Sequence, residues 1–161
     1  MTRGSSDRRA TSVFLLILLV LGASVPAIGA TGGRAAARSH KLKLTAAFHT
    51  LKGLPIGSYT ATGTIAGSPF GAGAIVRHVN ATGPTLSVKF TWFATNGSVS
   101  GTVTEKRTSN PDGSASFAIT KGRITGGGGA YRGAMGTFSG TGTNPNLNSP
   151  VVEHLSGQVK Y

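Results

Sequence analysis

Residues 85–94 read Thr85-Leu86-Ser87-Val88-Lys89-Phe90-Thr91-Trp92-Phe93-Ala94. Leu86, Val88, Phe90, Trp92 and Ala94 fall on one side of an extended chain, and Thr85, Ser87, Lys89 and Thr91 on the other. Successive side chains of a strand point to opposite faces, so this stretch predicts a strand with one buried face and one wet face. The same period of two appears upstream, where Leu42, Leu44, Ala46 and Phe48 alternate with Lys41, Lys43 and Thr45. Weaker alternations follow in Tyr59, Ala61, Gly63 and Ile65, in Val99, Gly101 and Val103, in Ala115, Phe117 and Ile119, and in Val151, Leu155, Val159 and Tyr161. No window between 41 and 161 sustains a helical period.

Turn chemistry separates these segments. Asn96-Gly97 is a hairpin signal, Asn110-Pro111-Asp112-Gly113 combines a fixed φ with a glycine exit, and Thr82-Gly83-Pro84 is a further break. The expected strands are 41–50, 58–66, 71–79, 85–94, 98–107, 114–124, 133–142 and 151–161. Short strands at even spacing make an all-β fold, a closed antiparallel barrel of about eight strands, with a β-sandwich as the alternative. Closure removes the strand edges. Glycines inside the segments, at 63, 101, 136, 140, 142 and 157, allow the bends that a small barrel needs. The interior of such a barrel is filled by side chains or holds one small ligand.

The N-terminus has a different character. Arg3, Arg8 and Arg9 precede an apolar run at 13–21, followed by small residues at Ala27-Ile28-Gly29-Ala30. These are the parts of a signal peptide, with cleavage expected after Ala30. The apolar run is well short of the roughly 20 residues of a membrane-crossing helix, which makes an uncleaved anchor the lesser alternative. The Arg8-Arg9 pair suggests twin-arginine export, but Ala10, Thr11 and Ser12 do not complete that pattern, so the route stays open. The expected organisation is a signal peptide at 1–30, a flexible leader at 31–40 and the barrel domain at 41–161, in a protein secreted or held on the cell-envelope exterior.

The chain has no cysteine, which excludes disulfides, thiol nucleophiles and thiolate metal sites and points to a bacterial exported protein. From residue 31 onward thirteen lysines and arginines face three acids, Glu105, Asp112 and Glu153, a net of +10 with histidine neutral. That balance favours anionic partners such as cell-wall polymers. The charges are scattered and not interleaved with aromatics, so no specific nucleic-acid partner is expected.

Residues 124–136 read Ile-Thr-Gly-Gly-Gly-Gly-Ala-Tyr-Arg-Gly-Ala-Met-Gly. No lysine and no helix-forming run follows the glycines, which sets aside a phosphate cradle. The run reads as a tight connection between two strands, with Gly126, Gly127 and Gly129 in the turn, Tyr131 packing back onto the barrel, and Gly133 and Gly136 making room. This stretch resembles the V-T-G-G-T-G-x-F-x-G-A-x-G of plant allene oxide cyclases and the G-G-T-G-x-F-x-x-A-R-G of dirigent proteins. The resemblance extends over 41–161, through Ser68-Pro69-Phe70-Gly71-Ala72-Gly73-Ala74 and Asn96-Gly97-Ser98. It implies a calycin-like eight-stranded barrel with a central apolar cavity, stereocontrol of a cyclisation or coupling without metal or nucleotide, and a homotrimer. The chain departs from the motifs in three places. Met135 stands where dirigent proteins carry an arginine, Phe48 or His49 where they carry an acid, and the cysteine of the cyclases has no counterpart.

Candidates for chemistry are few. Glu105 shares the parity of Val99, Gly101 and Val103, and Glu153 that of Val151, Leu155 and Val159. Inside a cavity either would be a candidate acid or base, and Tyr59 is a further catalytic candidate. Near a strand end each would instead meet water or one of Lys106, Arg107 and Arg123. His78 alternates with Ala74 and Val76, and His49 and His154 lack metal-ligand spacing, so no metal or other cofactor is expected. Phe48, Tyr59, Phe90, Trp92 and Phe117 are the candidate ligand-binding residues. The expected function is binding of a small apolar or aromatic molecule in the central cavity, with a cyclase-like or dirigent-like activity as the catalytic form. The alternative is a non-catalytic envelope protein held to anionic wall polymers.

Overall fold

A computed structural model describes residues 37–49, 57–146 and 148–161. The expected signal peptide, its cleavage at Ala30 and most of the leader lie outside the described residues. Eight strands follow in order: β1 (Ser39–His49), β2 (Gly57–Ser68), β3 (Gly71–Thr82), β4 (Thr85–Ala94), β5 (Gly97–Ser109), β6 (Ala115–Gly129), β7 (Met135–Asn144) and β8 (Val151–Lys160). Each pairs antiparallel with the next, and β8 returns to β1, closing the barrel. The closing seam runs from Ser39 opposite Lys160 to Phe48 opposite Val151. It therefore starts β1 two residues ahead of the expected Lys41, because Ser39 and His40 have partners waiting on β8.

The alternation read from 85–94 places Leu86, Val88, Phe90 and Trp92 in the interior and leaves Thr85, Ser87 and Lys89 exposed. In β3 the set that alternates with His78, Ala74 and Val76, is not the inward one. Ile75, Arg77 and Val79 point inward, while His78 is outside, hydrogen-bonded through Nδ1 to Thr60 Oγ1 at 3.1 Å. Apolar residues occupy both parities there, so alternation alone does not decide which face is buried.

A second difference concerns the glycine run. Gly126, Gly127 and Gly129 belong to the end of β6 and pair with β5, with Ser100 opposite Gly126 and Gly97 opposite Gly129. The connection is the five residues after them, 130–134, where Gly133 takes a φ of +76°. Side chains would prevent this pairing. A Cβ at Gly127 would run into the carbonyl oxygens of Ser98 on β5 and Tyr131, and one at Gly129 into that of Asn96; on β7, one at Gly136 would run into that of Gln158 on β8. Tyr131 does pack back onto the barrel and is buried.

Register shifts in β6 reset its parity. Thr120 and Lys121 both face outward, so the inward set passes from Ala115, Phe117 and Ile119 to Gly122 and Ile124. A β-bulge bends the strand in this way. Gly122 then lies directly under the Phe138 ring of β7, where a Cβ would overlap the ring atoms. Gly122→Val is expected to lower stability by about 1–3 kcal/mol, the usual effect of overpacking. Adding Phe138→Leu to that variant should restore part of the loss in urea unfolding; no restoration would show that the ring is not the cause.

Candidate functional site

The interior divides into two regions. Toward the end that carries the β2–β3 turn, the β6–β7 connection and the C-terminus, aromatic rings pack against one another. Phe90 and Trp92 stack with centroids 4.4 Å apart, and Phe138 stands at 5.7 Å from Phe90 and 5.5 Å from Trp92. Phe70 and Tyr131 meet edge to face at 4.9 Å, Tyr131 meets Tyr161 at 5.1 Å, and His40 stacks on Tyr161 at 4.6 Å. Such tilted and offset pairs suit the ring quadrupoles and add to the burial of large apolar area. Trp92 is 2% exposed, and its indole N–H has no hydrogen-bond partner. A buried donor left unpaired costs about 1–3 kcal/mol, and among the described residues this atom is the one buried side-chain polar atom without a partner.

The second region is polar. Arg77 from β3 lies between Glu105 from β5 and Glu153 from β8, and the three residues are 2%, 1% and 3% exposed. Arg77 donates from Nη1 to Glu153 Oε1 at 2.9 Å and from Nη2 to Glu105 Oε1. The guanidinium carbon also sits 4.1 Å from the centre of the Phe48 ring, a cation–π contact. Small cross-strand neighbours make space for these long side chains. Arg77 pairs in register with Ala61, and Glu153 with Ala46 on one side and Gly142 on the other. A Cβ at Gly142 would press on Glu153 Cγ at 2.8 Å and Phe117 Cβ at 3.4 Å.

Two carboxylates share one guanidinium, so the trio carries one excess negative charge when both acids are ionised. Desolvation raises the Glu105 pKa most; Arg77 opposes this and the Glu153 charge reinforces it, leaving the group at about 7. Burial also works against the charge of Arg77, but the attraction of Glu153 and then Glu105 outweighs it, and the guanidinium is held above its ordinary pKa. The half-buried Tyr59 phenol is pushed up chiefly by burial; Arg77 counters this and Glu105 adds to it. Within the trio it is Glu105 whose carboxyl burial holds well above its ordinary pKa, against a guanidinium that stays charged.

Among the sequence-predicted residues, the structure brings Glu105, Glu153 and Phe48 together around Arg77, with Phe117 beside Glu153 across Gly142 and Tyr59 within reach of the trio's charges. Phe90 and Trp92 belong to the aromatic cluster. The alternative surroundings expected for the acids are corrected: neither bonds Lys106, Arg107 or Arg123, because both point inward and Arg77 is already there. Sequence reasoning missed Arg77, Phe70 and Phe138. The available signal for Arg77 was its parity with Ile75 and Val79.

No protein-family model matches the sequence, and no curated protein does either. Among solved structures, the chain is similar to a pterocarpan synthase dirigent protein at 12% identity, over 89% of this chain and 99% of that one, with a TM-score of 0.33. A likeness of that degree assigns no residue role here. What stands on this chain's own geometry is a closed eight-stranded antiparallel barrel with a buried aromatic cluster beside a buried Arg77–Glu105–Glu153 trio.

Proposed function

We propose that this barrel is a binding protein for a small aromatic molecule that carries a hydrogen-bond acceptor, held in the interior against Phe90, Trp92 and Phe138. The observation that carries this reading is the unpartnered indole N–H of Trp92, buried among rings. A ligand carbonyl or ether oxygen would satisfy that donor, and the rings would cover the ligand's apolar body. A ligand fixed at that donor and against those rings would be held in one orientation, which is also the route by which the protein would steer a cyclisation or coupling. The expected site of action is outside the cell, on the strength of residues 1–30.

Trp92 is the single tryptophan of the chain, so its indole N–H gives one unambiguous nuclear magnetic resonance signal. Titration with acetophenone is expected to move that signal saturably. Ethylbenzene, of the same shape without the carbonyl, should bind about tenfold more weakly, the value of one buried donor satisfied. The reading fails if neither compound moves the indole signal, or if both bind equally well.

A further inference from the structure

Folding sorts the charges of this chain by sign. Of the three acids beyond residue 31, Glu105 and Glu153 are taken inside with Arg77, and Asp112 sits in the β5–β6 turn. The outer wall of the eight strands therefore presents no carboxylate. Arg38, Lys41, Lys43, Lys89, Lys106, Lys121, Arg123, Arg132 and Lys160 are all exposed. Among the described residues the only ion pairs are the two internal ones. Nothing on the wall cancels the positive field, and a surface of one sign draws a polymer of the other.

Part of that surface is shaped. The bulge in β6 turns Lys121 outward beside Arg123 instead of alternating it inward. Two grooves of about 410 and 420 Å³ adjoin there on the outer face of β6, β7 and β8, and Arg123 and Thr137 line both. Lys121 lines one and Lys160 the other, while Ser139 and Gln158 add a hydroxyl and an amide.

We infer that this double groove docks a polyol phosphate, a flexible chain in which phosphates alternate with hydroxylated carbons. Lys121, Arg123 and Lys160 provide the charge-assisted donors that phosphate oxygens take, and Arg123 at the shared wall provides a bidentate fork. Thr137, Ser139 and Gln158 provide donors and acceptors for the hydroxyls between them. The groove offers no exposed aromatic face, since Phe138 beneath it is buried in the interior. Nucleic-acid bases and sugar rings rely on such a face for stacking, so an acyclic backbone suits this surface better than either.

The test is binding of the protein to poly(glycerol phosphate) at about 0.15 M salt, where exposed charges act only over a short range. Saturable binding is expected. The triple variant K121Q/R123Q/K160Q should weaken it about ten- to a hundredfold, as three surface cations near an anionic polymer imply. The control K43Q/K89Q/K106Q, with the same loss of charge elsewhere on the wall, should weaken it by less than about threefold. All six positions are exposed, and circular dichroism verifies that both variants keep the barrel. Equal weakening by the two variants would overturn the groove in favour of diffuse attraction. Equal or tighter binding of duplex DNA or polygalacturonate would overturn the assigned ligand class, and absence of binding would overturn both.

Discussion

Replacing Arg77 with methionine is expected to destabilise the barrel by about 3–5 kcal/mol, the cost of leaving buried carboxylates without their cation. Glu105 and Glu153 are 1% and 3% exposed, and each donates nothing and accepts from Arg77. Without the guanidinium, neither has a described partner to offset its lost hydration. The triple replacement R77M/E105L/E153L removes the charges together and should recover most of the stability, because a buried ion network often contributes little net free energy over an apolar core of similar volume. Urea unfolding of the three proteins checks this, read by circular dichroism so that Trp92 is not the only reporter. A loss below about 1 kcal/mol for Arg77→Met would mean that the trio is solvated and that the interior is wetter than its side-chain packing implies.

Lowering the pH from neutral to about 4.5 is expected to stabilise the protein, against the usual behaviour of acid-labile domains. Glu105 moves from an ordinary carboxyl pKa of 4.5 in the unfolded chain to about 7 in the barrel. Between those values the folded state holds the proton that the unfolded chain has released. The stabilising contribution is therefore complete below 4.5 and is lost as the pH rises through 7. A shift of that size corresponds to about 3 kcal/mol. Glu105→Gln removes the titration, so the difference in unfolding free energy between wild type and variant should change by that amount across the window. A difference that stays constant from pH 4.5 to 7 would show that Glu105 is ionised throughout and that Arg77 dominates its desolvation. Such a result would also remove the basis for treating Glu105 as a carboxyl that holds its proton near neutral pH.

How legible this protein is from its residues depends on which strand is read. β4 is unambiguous because its inward side chains are large and apolar and its outward ones mostly polar; Phe93 alone disturbs the pattern, and it is exposed. β3 misleads because Ala72, Ala74 and Val76 occupy its outer face while the inner face carries an arginine. β6 misleads because its bulges shift the parity midway, a matter of how it meets β5 and β7. The glycine run reads as a turn by composition, yet pairing with β5 extends the strand through it.

The candidate site shows the same division. The inward parity of Glu105 and Glu153 is a local property, visible within a few residues of each. Their joining is not, since Arg77 lies 28 residues from one and 76 from the other. The one-signed outer wall likewise exists only once both acids have been drawn inside.

The sequence by itself determined that strands would form and which side of most of them would face oil, because alternation is written into neighbouring residues. Only the tertiary structure decided which distant side chains share the interior, because barrel closure and strand register bring together positions that no local pattern relates.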